Sequence, residues 1–189
     1  MAPKTVKRKD RFQPVLKKCE KVVKKLGIRI KYTTSLDRYF KGDLNGKTVY
    51  ISKKLSDQQK IFNLLHLAGH TIQWHIDPKL HKMGSKLIKK PSSSLLKKLQ
   101  KYEWNANRFG LQILHTAKET RLDEWLSVLV KTDMLYLTNF YKTGKKVKKI
   151  TAIGKSYSFM NKVLEPKAIP KFKPKILSTN SRNGIVLSF

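Results

Sequence analysis

Only one of the 189 residues is a cysteine, Cys19. No disulfide can form within the chain, and a reducing compartment is the expected setting. No apolar run approaches the roughly 18 residues of a membrane span. The first segment, MAPKTVKRKDRF, lacks the apolar core of a secretory signal. An intracellular protein or a component of a virus particle is therefore expected, with no membrane partner. Acidic residues are scarce: 12 Asp+Glu face 42 Lys+Arg, a formal net charge of +30. Arginine is scarce as well, with 7 Arg beside 35 Lys. Arginine's rigid fork reads guanine edges and grips phosphate in two places, whereas lysine is a mobile point charge. A lysine-dominated excess points to counterion-release binding of a polyanion with little sequence preference. Nucleic acid is the first partner expected, and acidic proteins of a larger assembly the second. The plainer alternative is a lysine-rich surface that serves solubility alone.

What is present suffices for a packed core: 40% hydrophobic residues, with eight Phe, seven Tyr and three Trp. Residues 1–12 read as a basic disordered arm carrying Lys7, Arg8, Lys9 and Arg11. From Gln13 to Gly27 apolar residues recur on one face of a 3.6-residue period, predicting a helix with a wet lysine face. IRIKYTT alternates as a half-buried strand, and YFKGDLNGKTVYIS predicts two more strands about an Asn45-Gly46 turn. Ser56 and Gln59 form a capping box that opens a helix to about Trp74. Asp77-Pro78 ends it. A basic loop or short helix over 79–92, with Lys89 and Lys90, precedes a helix from about Leu95 to His115. A further apolar stretch from Arg121 to Tyr141 predicts one or two helices ending at Gly144. The domain is thus expected over 13–144. Residues 145–189 form a basic Pro/Lys-rich extension with Lys145, Lys146, Lys148 and Lys149 at its start and a terminal hairpin about Asn183-Gly184. Trp74, Trp104 and Trp125 lie in apolar helical patterns and are expected as core anchors, and Cys19 as a buried, inert thiol.

The stretch LLHLAGHTIQWH places His66 and His70 four apart, so on a helix both rings lie within about 40° of one another and can grip one ion. A lone H-x-x-x-H pair is common by chance, but its surroundings add to it: the hairpin NGKTVYISKKLSDQQKIFNLL lies before it and YEWNANRFGLQIL about 35 residues after. Together these resemble the gluzincin metallopeptidases, particularly the small ImmA/IrrE-type members, over roughly residues 13–116. The resemblance implies an α+β fold, a small antiparallel sheet packed on a helical bundle in the minigluzincin manner. It also implies a zinc ion held by His66 and His70. The family's catalytic glutamate falls on Leu67, and its third ligand, the glutamate of E-A-(D/N), falls on Asn105.

Both replacements remove an anion the chemistry needs. A catalytic zinc has three protein ligands and a water, and the water needs a carboxylate to take its proton. Leucine cannot do that, and a neutral amide holds the ion poorly. Glu103 stands two residues before Asn105, about 200° away on a regular helix, and serves only if the helix register differs. His75 and His81 are further candidates; His75 lies about 180° from His66. The expectation is a degenerate enzyme whose histidines hydrogen-bond to Asn105, Asn107 or backbone, without a retained ion, repurposed as a nucleic-acid-associated or structural protein. Its rivals are an atypical zinc peptidase acting on a protein partner and a protein-only interaction module.

Overall fold

The computed structural model describes residues 11–36, 41–84, 90–144 and 157–177. Among these residues five helices and three strands follow in the order α1 (Gln13–Lys25), β1 (Arg29–Thr33), β2 (Gly42–Leu44), β3 (Thr48–Ser52), α2 (Asp57–Ile76), α3 (Pro78–Gly84), α4 (Ser93–Thr116) and α5 (Asp123–Thr143), with a 3-10 turn, Thr120–Leu122, before α5. The fold is α+β, as expected. Residues 1–10 of the arm predicted over 1–12, Lys7, Arg8 and Lys9 included, Lys89, the lysines of 145–149 and the terminal hairpin lie outside the described residues.

Local chemistry sets the boundaries. Ser56 caps α2 by accepting from the Gln59 backbone N–H, and Gln59 reaches back to the Ser56 N–H. The helix runs two residues past Trp74 and stops at Asp77, before Pro78. Ser92 accepts from the Leu95 N–H and starts α4 at Ser93, two residues earlier than predicted. Gly144, with φ 68°, closes α5, a single helix, in the left-handed conformation. At the β2–β3 turn the Asn45 side chain accepts from the Lys47 and Thr48 N–H groups while Gly46 takes φ 90°.

The expected antiparallel sheet is mixed instead. Its order is β1-β3-β2: β2 pairs antiparallel with β3, but β1 runs parallel to β3. The chain leaves β1, crosses to the far edge and reverses twice, so the strand entering the centre shares β1's direction. The hairpin was visible as local turn chemistry; the crossover was not.

Helix α2 is the axis of the molecule. Every residue from Ile61 to Trp74 is buried, because α1, α3, α4, β2 and β3 all pack on it. Helix α4 crosses it at very close range. A Cβ added to Gly69 would lie 2.0 Å from the Ala106 carbonyl oxygen, and one on Gly110 would lie 2.9 Å from the Leu65 oxygen. Residues without bulk at these points let two backbones touch. Cys19 is fully buried and its thiol is pushed up to about 12, first by burial and then by Glu119 and Glu20. Trp74 is buried, and Trp104 and Trp125 pack half-buried against the core.

The Pro/Lys-rich segment lies extended on the domain. The Lys167 N–H donates to the Arg108 carbonyl, the Lys175 N–H to His75 Nε2 and the Leu177 N–H to the Asn45 carbonyl. Ile169, Phe172 and Pro174 face inward while Lys171, Lys173 and Lys175 face solvent.

Candidate metal centre

Helices α2 and α4 run antiparallel, and their contact brings together three buried side chains: His66, His70 and Glu103. His66 Nε2 lies 2.9 Å from His70 Nε2, Glu103 Oε2 lies 3.0 Å from His70 Nε2, and it lies 3.4 Å from His66 Nε2. A tetrahedral zinc with bonds of about 2.0–2.2 Å holds its ligand atoms roughly 3.3 Å apart, so these separations suit one small ion.

The third partner is Glu103, not Asn105. Glu103 and Asn107 are four residues apart and share the face of α4 that meets α2, whereas Asn105 is turned about 200° from Glu103 and is half-buried outside the group. Glu103 thus brings an anion to the group, while the residue after His66 is a leucine. Leu67 is fully buried, and a Cβ on Gly42 of β2 would lie 2.6 Å from its Cδ1. It is a core side chain under the sheet.

Outer hydrogen bonds fix the chemistry of both rings. His66 Nδ1 lies 2.9 Å from Asn107 Oδ1, and Asn107 Nδ2 donates to the Glu103 carbonyl. His70 Nδ1 lies 2.9 Å from Gln73 Oε1, and Gln73 Nε2 donates to the Tyr102 carbonyl. A backbone carbonyl only accepts, so each amide must turn its NH₂ to the backbone and its oxygen to the ring. Both Nδ1 atoms therefore carry hydrogen and donate. Two Nε2 lone pairs and a carboxylate oxygen are left pointing at one another. That arrangement repels itself unless a cation lies among them, and oriented imidazoles of this kind are the usual setting of metal-bound histidine.

The electrostatics agree. Burial pushes the His66 imidazole down, but Glu103, helped by Asp133 and Asn107, outweighs it and the net direction is up. His70 stays below its ordinary value through burial and the neighbouring His66, against the pull of Glu103. Burial opposes ionisation of Glu103, yet His70 and His66 hold its carboxyl well below the carboxylate range. These directions favour one proton on the trio, at His66, and the same three groups could hold a metal ion.

Helix α5 completes the surroundings. The Tyr141 hydroxyl donates to Glu103 Oε1 at 2.8 Å. Asp133 is fully buried, and neither of its carboxylate oxygens has a hydrogen-bond partner among the described residues. Burial raises its carboxyl to about 7, with His66 pulling it down and Glu103 pushing it up. Sequence reasoning passed over Asp133, although its signal was visible: an acid inside the apolar run VLVKTDMLYL.

The other candidates lie apart from the trio. His75 Nδ1 donates to the Thr71 carbonyl, and His81 packs edge-on against Trp74. Arg11 is exposed, with its guanidinium 5.0 Å from the Phe12 ring. Lys90 donates its backbone N–H to the Tyr141 carbonyl with φ 50°. Among the described residues no helix is long and apolar enough to cross a membrane. Comparison with protein-family models, curated proteins and solved structures returns no match.

Proposed function

We propose that this chain is a metallopeptidase-like protein in which His66, His70 and Glu103 hold a zinc ion without hydrolysing peptides. In this reading the lysine-rich exterior binds nucleic acid or another polyanion, as part of a larger assembly such as a virus particle. The observation that carries the metal assignment is the pinned pair of imidazoles, whose Nε2 lone pairs converge with a carboxylate oxygen. When bound, the ion would cross-link α2 to α4, so that metal binding adds to folding stability. The histidines and Glu103 supply its ligands, Asn107 and Gln73 orient the rings, and Tyr141 anchors the carboxylate. Hydrolysis would need a further carboxylate at position 67, where a hydrocarbon packs against β2.

Elemental analysis of the purified protein tests this. One zinc per chain is expected, lost in His66→Ala and kept in Asn105→Ala. No zinc in the wild type after growth and dialysis with the metal would overturn the reading. One observation favours a hydrolase as the second reading: two histidines and a glutamate are also a catalytic zinc ligand set. Turnover of an unfolded polypeptide that disappears in Glu103→Gln would establish it.

A further inference from the structure

Two neutral imidazoles and one carboxylate around a divalent ion leave a net charge of +1 in the interior. A buried charge is tolerated only with a partner of opposite sign. None of the ligands can provide it, since Glu103 is already counted.

Among the described residues, helix α5 holds a group placed to do so. It packs antiparallel on α4: His115 Nε2 lies 2.8 Å from Asp123 Oδ2 at one end, and Gln100 Nε2 donates to Thr138 Oγ1 at 3.1 Å toward the other. That register brings Asp133, further back along α5, level with the turn of α4 between Glu103 and Asn107, which faces the histidines. Asp133 is 0% exposed and its two oxygens lack a hydrogen-bond partner among the described residues. Its charge is felt at both His66 and Glu103. An orphaned buried carboxyl weakens a protein that has no use for it.

We infer that Asp133 is the counter-charge of the metal centre, a carboxylate from a third helix that balances the ion held by His66, His70 and Glu103 without belonging to its ligand set. This rests on the metal assignment above. It gives the centre two carboxylates, one direct and one outer, taken from α4 and α5. The third helix is thereby coupled to an ion that the other two hold.

The two roles of Asp133 pull stability and affinity in opposite directions, and that makes the inference testable. The experiment is titration of the metal-stripped full-length chain with Co²⁺, read from its visible spectrum, and with Zn²⁺ in competition. Each protein's metal-free melting temperature is measured alongside. Asp133→Asn should bind one ion with the same spectrum but about 10- to 100-fold more weakly, the usual effect of losing an outer-shell group. Its metal-free form should melt at the same temperature as the wild type or higher. Asp133→Ala, which removes the carboxyl and its bulk, should show the same loss of affinity. Unchanged affinity in both variants would overturn the inference while leaving the metal site intact, as would an Asp133→Asn protein whose metal-free form melts well below the wild type. A wild type that takes up no Co²⁺ or Zn²⁺ would instead remove the metal assignment on which the inference depends.

Discussion

Position 67 is governed by packing: the residue that follows His66 is a core side chain. Leu67 sits between the two histidines in sequence, yet its side chain fills the space beneath Gly42 and is fully buried. An acid at this position would place a carboxyl among hydrocarbon. Leu67→Glu is therefore expected to lose about 3–5 kcal/mol of stability, the range for an uncompensated buried charge. It should gain no peptidase activity. Chemical denaturation and a polypeptide cleavage assay check the two halves separately. Glu103 is the opposite case: an acid well inside the fold that is kept ionised by two imidazoles and a tyrosine hydroxyl.

At the scale of elements the site depends on how closely α2 and α4 approach. Gly69 faces the Ala106 carbonyl so tightly that even a methyl group, at 2.0 Å from the oxygen, cannot be accommodated without separating the helices. Gly69→Ala should cost about 2–4 kcal/mol, at or above the usual range for overpacking. Zinc affinity should weaken with it, since the ligands come from both helices; calorimetry of metal binding on the folded variant is the check. A second tie joins α1 to the link before α5. Lys18 Nζ lies 2.6 Å from Glu119 Oε1, and Arg121 donates to Oε2. The hydrogen bond from Lys18 is the main reason the Glu119 carboxyl lies below its ordinary value. A depressed folded-state value means that the tie stabilises the protein above the unfolded carboxyl's titration and is lost as pH falls through the folded one. Lys18 is more than half exposed, so solvent screens the pair and the contribution is about 0.5–1 kcal/mol. Glu119→Gln should melt below the wild type at pH 7, and the gap should close on acidification below about pH 4.

For the whole molecule the excess of positive charge dominates. Lys17, Lys21, Lys24 and Lys25 are exposed on α1, and Lys171, Lys173 and Lys175 project from the extended segment that passes Gly27 just after it. Alternation along an extended chain spaces those three lysines about 6.5–7 Å apart. Binding to single- and double-stranded DNA and RNA is expected to be strong at low salt and sequence-indifferent, and to weaken by a factor of about 10³ or more between roughly 50 and 200 mM salt if six or more phosphates are engaged. Replacing Lys171, Lys173 and Lys175 with alanine should lower the slope of log affinity against log salt by about 2–3. Affinity that barely changes with salt would remove nucleic acid as an electrostatic partner.

Much of this protein could be read from its residues in order. The amphipathic period of α1, the Ser56–Gln59 box, the Asn45-Gly46 turn and the stop at Gly144 are interactions between neighbours a few residues apart, so sequence carries them directly. The pairing of His66 with His70 belongs to the same class, being one turn of one helix. The rest depended on which faces meet across large separations. Only the packing of α4 on α2 shows that Glu103 and Asn107, not Asn105, turn toward the histidines, because a shift of two residues in a helix reverses the face presented. Only the return of α5 sets Asp133 behind them, and only the crossover of the chain makes β1 parallel to β3. The sequence by itself determined the helices, the turns, the charge and the histidine pair, through local hydrogen bonding and periodic burial. The tertiary structure decided which carboxylates face those histidines, since electrostatic convergence is a property of packed surfaces and has no counterpart in linear spacing.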